Sequence, residues 1–175
     1  VGCGRISKNH FDAIGKLKDE ARLVAVCDII ESRARKAGEE NSVDYYTDYD
    51  EMLQRDDIDA VSICTPSGLH PVHGIAAARR KLHVITEKPM ATSLKKADEL
   101  ISACDENGVR LFVVKQNRLN STLQLVKHAI DKGRFGRIYM AIVNVLWTRP
   151  QSYYDEAKWR GTWEFDGGAF MNQAS

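Results

Sequence analysis

The sequence predicts an α/β fold, a doubly wound parallel sheet followed by the start of a second, α+β domain. Three observations predict it. Short apolar runs, Leu23–Cys27, Ala60–Cys64, Val84–Thr86 and Leu111–Val114, alternate with segments of helical periodicity. Each run is continuously apolar and bounded by charge, the character of strands buried on both faces. A glycine turn, Gly2-Cys3-Gly4, opens the first helix.

Residues 6–18 carry Ile6, Phe11, Ile14 and Leu17 at helical steps, and the strand 23–27 follows. Residues 31–40 predict a polar helix, Tyr45-Tyr46 a short strand, and 48–55 a helix capped by Thr47 or Asp48. After the strand 60–64, Pro71 suits the first turn of a helix over 71–80, where its missing N–H has no partner to lose. The strand 84–86 leads to a helix capped by Ser93, with Leu94, Ala97, Leu100, Ile101 and Cys104 as its apolar stripe and Asn107-Gly108 as its end. The strand 111–114 completes residues 1–115 as one domain. Residues 116–175 then begin another, with an amphipathic helix over 119–132 and a long strand, Arg137–Trp147, opening a mainly antiparallel open sheet. Only Val1 precedes the glycine turn and the final helical pattern stops at Ser175, so the chain reads as an internal fragment lacking its first strand.

A net charge of +1, 28% charged and 43% hydrophobic residues describe an ordinary globular chain, with no basic tract for nucleic acid and no apolar run long enough for a bilayer. Cys3, Cys27, Cys64 and Cys104 are too scattered for a zinc site, so no metal is expected, and they read as thiols of a reducing, cytoplasmic compartment.

Gly2-x-Gly4-x-x-Ser7 keeps two glycines of a dinucleotide fingerprint. The first allows the tight turn; the second lets backbone approach a pyrophosphate, with Arg5 and Ile6 at the helix start. Asp28 ends the next strand, where a carboxylate accepts ribose hydroxyls and repels a 2′-phosphate, favouring NAD over NADP. Arg33 and Arg35 leave NADP open, although arginines at such helix positions are more often part of a solvated face. Thr65-Pro66-Ser67 and His70 follow another strand on the carboxyl edge of the sheet, as a cofactor loop or as a plain turn with a structural histidine. Glu87-Lys88-Pro89 closes the strand 84–86 on the same edge. A lysine there reads either as a proton-transfer group beside a hydroxyl-bearing carbon or as half of a surface salt bridge.

Taken in order, the glycine turn, Asp28, Thr65-Pro-Ser-x-x-His70, Glu87-Lys88-Pro89, Gln116-Asn-Arg118, Trp159-Arg160 and Asp166-Gly-Gly resemble the glucose–fructose oxidoreductase/inositol dehydrogenase (Gfo/Idh/MocA) family over essentially the whole chain. The resemblance implies a Rossmann-type domain binding NAD through Gly2, Gly4, Arg5, Ile6, Asp28, Thr65, Pro66, Ser67, His70, Glu87, Lys88, Gln116 and Arg160. It implies Lys88 as the catalytic residue on the reacting hydroxyl, with Arg160 and Asn172 on the sugar, and a catalytic histidine beyond Ser175. It further implies a homo-oligomer. Tyr153-Tyr154, Trp159-Arg-Gly-Thr-Trp163 and Gly168–Gln173 are similar to dehydrogenases that oxidise C3 of UDP-N-acetylglucosaminuronate, though packing also explains Tyr153, Trp159 and Trp163. Two other readings stay open, an NADPH-dependent reductase of a keto-sugar or biliverdin, and a dinucleotide-binding regulator without activity.

Overall fold

The computed structural model describes residues 1–173; Ala174 and Ser175, part of the expected terminal helix, lie outside the described residues. All strand pairs are parallel. Strand β1 (Ala25–Cys27) pairs with β2 (Asp44–Tyr46), and β3 (Ala60–Ile63), β4 (His83–Thr86) and β5 (Leu111–Val113) form a second sheet in that order. Residues 1–2 lie between the sheets. The Gly2 N–H donates to Cys27 O at 2.8 Å, the Cys64 N–H to Val1 O at 2.8 Å, and the Val1 amino group to Ser62 O at 2.6 Å. The spatial order is therefore β2-β1-(residues 1–2)-β3-β4-β5, with a cavity of about 100 Å³ between β1 and β3.

The helices are α1 (Ser7–Lys16), α2 (Glu31–Asn41), α3 (Tyr49–Met52), α4 (His70–Arg79), α5 (Leu94–Glu106), α6 (Ser121–Asp131), α7 (Gln151–Asp155) and α8 (Gly168–Asn172). From the middle of the sheet, connections run outward both ways. Right-handed crossovers then put α2 on one face and α4 and α5 on the other. Order reverses between β1 and β3, and ligands bind outside the carboxyl ends of the strands at such a reversal. The core follows from this layering: Ile63, Val84, Ala77, Ala78 and Leu100 are fully buried, with Cys27 and Cys104 beside them. All four cysteines are free thiols.

Caps obey local chemistry. Asp48, rather than Thr47, caps α3 by accepting the Glu51 N–H at 3.0 Å, and Ser93 accepts the Lys96 N–H at 3.3 Å at the start of α5. Two expectations need correction. The α5 stripe is narrower than its periodicity suggests: Leu100 and Cys104 are buried, whereas Leu94 is 84% exposed because it leads the first turn, beyond the sheet. Residues 137–150 run outside any helix or strand, so the expected strand Arg137–Trp147 and its antiparallel sheet are absent among the described residues. A strand is defined by paired backbone groups, and no described segment offers this one a partner.

Candidate functional site

At the reversal, the glycine turn meets the end of β1. Gly2 has φ +85°, and a Cβ there would sit 2.7 Å from the Cys64 carbonyl carbon, so only glycine fits. Around the position of a Gly4 Cβ nothing lies within 4 Å, which leaves the open face that a bound phosphate needs. Ser7 is buried and its Oγ donates to Gly4 O at 2.7 Å, closing the turn in place of a third glycine. Arg5 and Ile6 are exposed beside it, and no side chain caps α1. Asp28 accepts the Cys3 N–H at 2.8 Å through Oδ2 and the Ile30 N–H at 2.9 Å through Oδ1. These bonds hold the carboxylate rigidly beside the turn and leave each oxygen a lone pair for a hydroxyl. Arg35 pairs with Glu31 on the exposed face of α2, so it serves the solvated face and not a 2′-phosphate.

Beyond β3, Thr65 and Pro66 are half-buried and Ser67 and Gly68 are buried. Gly68 packs against the later part of the chain: its N–H donates to Phe165 O at 3.0 Å, and a Cβ would come within 2.1 Å of Glu164 O. His70 corrects the expectation of a direct cofactor contact. It is 1% exposed, with Nδ1 2.7 Å from Pro89 O and Nε2 2.8 Å from Thr65 O. Burial lowers its pKa. The ring clamps the Thr65–Ser67 loop to the Lys88–Pro89 segment, leaving no polar atom for a ligand.

Lys88 stands at the carboxyl end of β4. Its Nζ donates to the Asn172 carbonyl at 2.5 Å and to Asn172 Oδ1 at 3.4 Å. The Asn172 amide in turn donates to Asp166, whose other oxygen accepts the Gly161 N–H at 2.8 Å. Burial pushes the Lys88 ammonium below its ordinary 10.5, aided by the charges of Lys115 and Arg149 and opposed by Glu87 and Asp166. Lys88 is thus half-buried and tethered to Asn172, forms no ion pair among the described residues, and has its charged form disfavoured by burial.

His10, on α1, is a member of the site that the sequence did not single out. Its Nε2 lies 3.0 Å from Glu87 Oε1 and its Nδ1 2.8 Å from Ser62 Oγ. The neighbouring Cys64 thiol and the Glu87 carboxylate raise it to about 9. Burial alone would raise the Glu87 carboxyl, but the bonds from His10 and the Lys88 N–H lower it instead. A signal existed: Ser7, His10 and Ile14 recur at helical steps, which places His10 on the sheet-facing side of α1. Gln116 is exposed just after β5. Arg160 donates to Tyr153 O at 2.6 Å and pairs with Glu156 at 2.7 Å, so its guanidinium is engaged within its own segment. Tyr153 lies under it, 4.2 Å from the guanidinium carbon, while Trp163 is 83% exposed.

Residues 1–115 match the oxidoreductase family with an NAD-binding Rossmann fold, and residues 123–175 match the GFO/IDH/MocA C-terminal domain. The chain belongs to the Gfo/Idh/MocA family. Over 99% of its length it superposes on the WlbA dehydrogenase from Bordetella pertussis, solved with NADH and UDP-GlcNAcA, with 56% identity and a TM-score of 0.95, covering 52% of that chain. A WlbA dehydrogenase from Chromobacterium violaceum, with the same ligands, gives 54% identity, a TM-score of 0.95 and 99% and 50% coverage. The myo-inositol 2-dehydrogenase of Thermotoga maritima is 32% identical over 138 residues, 78% of this chain and 41% of that protein. This Gfo/Idh/MocA chain therefore spans about half or less of the relatives it matches. Among its described residues no helix is long and apolar enough to cross a membrane.

Proposed function

We propose that the full-length protein containing this chain oxidises a secondary alcohol of a sugar nucleotide with NAD, the substrate being UDP-N-acetylglucosaminuronate and the reacting carbon C3. The observation that carries this reading is Lys88, half-buried on the carboxyl edge beside the reversal, lowered in pKa and bonded to Asn172. The likeness to two dehydrogenases solved with NADH and UDP-GlcNAcA supports the substrate.

In this reading Gly4, Arg5 and Ile6 border the pyrophosphate, Asp28 holds the adenosine ribose, and backbone of Thr65–Ser67 lines the nicotinamide half. The cofactor supplies the hydride acceptor. Lys88 holds the reacting hydroxyl and takes part in moving its proton, Glu87 and His10 fix the lysine, and Asn172 yields its bond to Lys88 as the sugar enters. Gln116 and Arg160 border the nicotinamide or sugar. The first domain ends near residue 115 and the second supports a homo-oligomer. The free thiols fit a cytoplasmic setting.

Turnover of the full-length protein, followed by nicotinamide absorbance, tests the reading. UDP-N-acetylglucosaminuronate is expected to be oxidised with NAD, far better than with NADP. Oxidation of neutral polyols alone would overturn it. Exchanging Asp28 for serine is expected to weaken the preference for NAD; an unchanged preference would favour the NADPH-dependent reductase.

A further inference from the structure

Arg149 lies in a setting that the reading above does not use. Its guanidinium carbon is 3.8 Å from the ring centroid of Trp147 and 4.9 Å from that of Tyr153, and its Nε donates to Gln173 Oε1 at 2.9 Å. Gln173 is itself anchored, its Nε2 donating to Tyr153 Oη at 3.2 Å. Its neighbour Asn172 holds Lys88 Nζ at 2.5 Å. Two consecutive residues therefore tie Arg149 and Lys88 to one wall of the site. The aromatic faces and the Nε bond fix the guanidinium plane, and among the described residues its terminal nitrogens form no hydrogen bond.

Among the described residues no carboxylate forms an ion pair with Arg149 or Lys115, whose charges both act on Lys88. The two carboxylates near Lys88 are already engaged, Glu87 by His10 at 3.0 Å and Asp166 by the Gly161 N–H at 2.8 Å and the Asn172 amide. Lys88, Lys115 and Arg149 thus give the substrate side an excess of positive charge.

We propose that Arg149 is a specificity-determining residue that binds an anionic group of the substrate, a sugar carboxylate or a nucleotide phosphate, through the fork of its terminal nitrogens. A rigid, planar guanidinium suits such groups bidentately, and partial burial strengthens the bond. The inference rests on the sugar-nucleotide reading.

The test compares full-length wild type with Arg149→Gln and Arg149→Lys on UDP-N-acetylglucosaminuronate, its neutral uronamide, and N-acetylglucosaminuronate lacking the nucleotide. Competitive inhibition constants serve where turnover is absent. Arg149→Gln should raise KM for the full substrate about 30-fold or more. Arg149→Lys should recover part of the loss, and the NADH dissociation constant should stay within about 3-fold of wild type. If the effect disappears on the uronamide, the anion is the carboxylate; if it disappears on the free uronate, the anion is the diphosphate. Both outcomes support the proposal. An unchanged KM with normal wild-type turnover would overturn it alone, as would an equal loss on all three compounds or weakened NADH binding with KM intact. Turnover of neutral polyols only would overturn both it and the reading beneath it.

Discussion

The half-buried His10 and the buried Glu87 form a pair whose titration carries a stability signature. His10 is raised from 6.5 to about 9, so its contribution is complete below pH 6.5 and is lost as the pH climbs through 9. Glu87 is lowered from 4.5, so its contribution is present above that pH and is lost as acid protonates it. Chemical denaturation across the range should therefore show stability falling by about 1–3 kcal/mol between pH 6.5 and 9 in wild type but not in His10→Ala. His10→Ala should itself cost about 3 kcal/mol near pH 6, since it strands a buried carboxylate. Equal pH slopes in the two proteins would mean that the pair stays unformed. Lys88 has the opposite sense for its charge type. With its pKa lowered from 10.5, activity that needs the neutral amine should rise with pH along a limb centred below 10.5, and Lys88→Arg should remove that limb from the kcat profile.

Elements differ in how much of them the sequence discloses. The four strands that hold the site were legible as short, mostly apolar runs between helical segments, although they are not buried on both faces as expected, Phe112 of β5 being 50% exposed; the caps Asp48 and Ser93 were legible because their side chains bond the backbone locally. Lys88 was legible as an anomaly, a charge at the end of an apolar strand. What stayed hidden depends on partners distant in sequence: the clamping of His70 by Pro89 and Thr65, the reach of His10 to Glu87, and the lack of any partner for Arg137–Trp147. The glycines give an element-scale test. Gly4→Ala should leave the melting temperature nearly unchanged, because the new methyl meets nothing within 4 Å, yet weaken NADH binding about 10-fold or more. Gly2→Ala should lose both, given its φ of +85° and the 2.7 Å approach to Cys64. Calorimetry and cofactor titration on the two variants would separate these outcomes; a destabilised Gly4→Ala would contradict the open face.

Across the whole molecule, order concentrates where the parallel strands and their helices bury one another. Residues 137–150 have no ladder, and Ile142, Val143 and Leu146 are 74%, 82% and 96% exposed. Limited proteolysis of this chain should cut there before anywhere in residues 60–114; early cleavage within the strands would contradict that order of stability. The fold brings Asp28, the Thr65 loop and Lys88 to one edge from three separate strand ends, and the proposed NAD-dependent sugar oxidation rests on that convergence and on Lys88. Single-turnover reduction of NAD by the full-length Lys88→Met variant tests this most directly. A rate about 10³-fold below wild type is expected, with NADH affinity within about 3-fold; a rate equal to wild type would contradict the role proposed for Lys88.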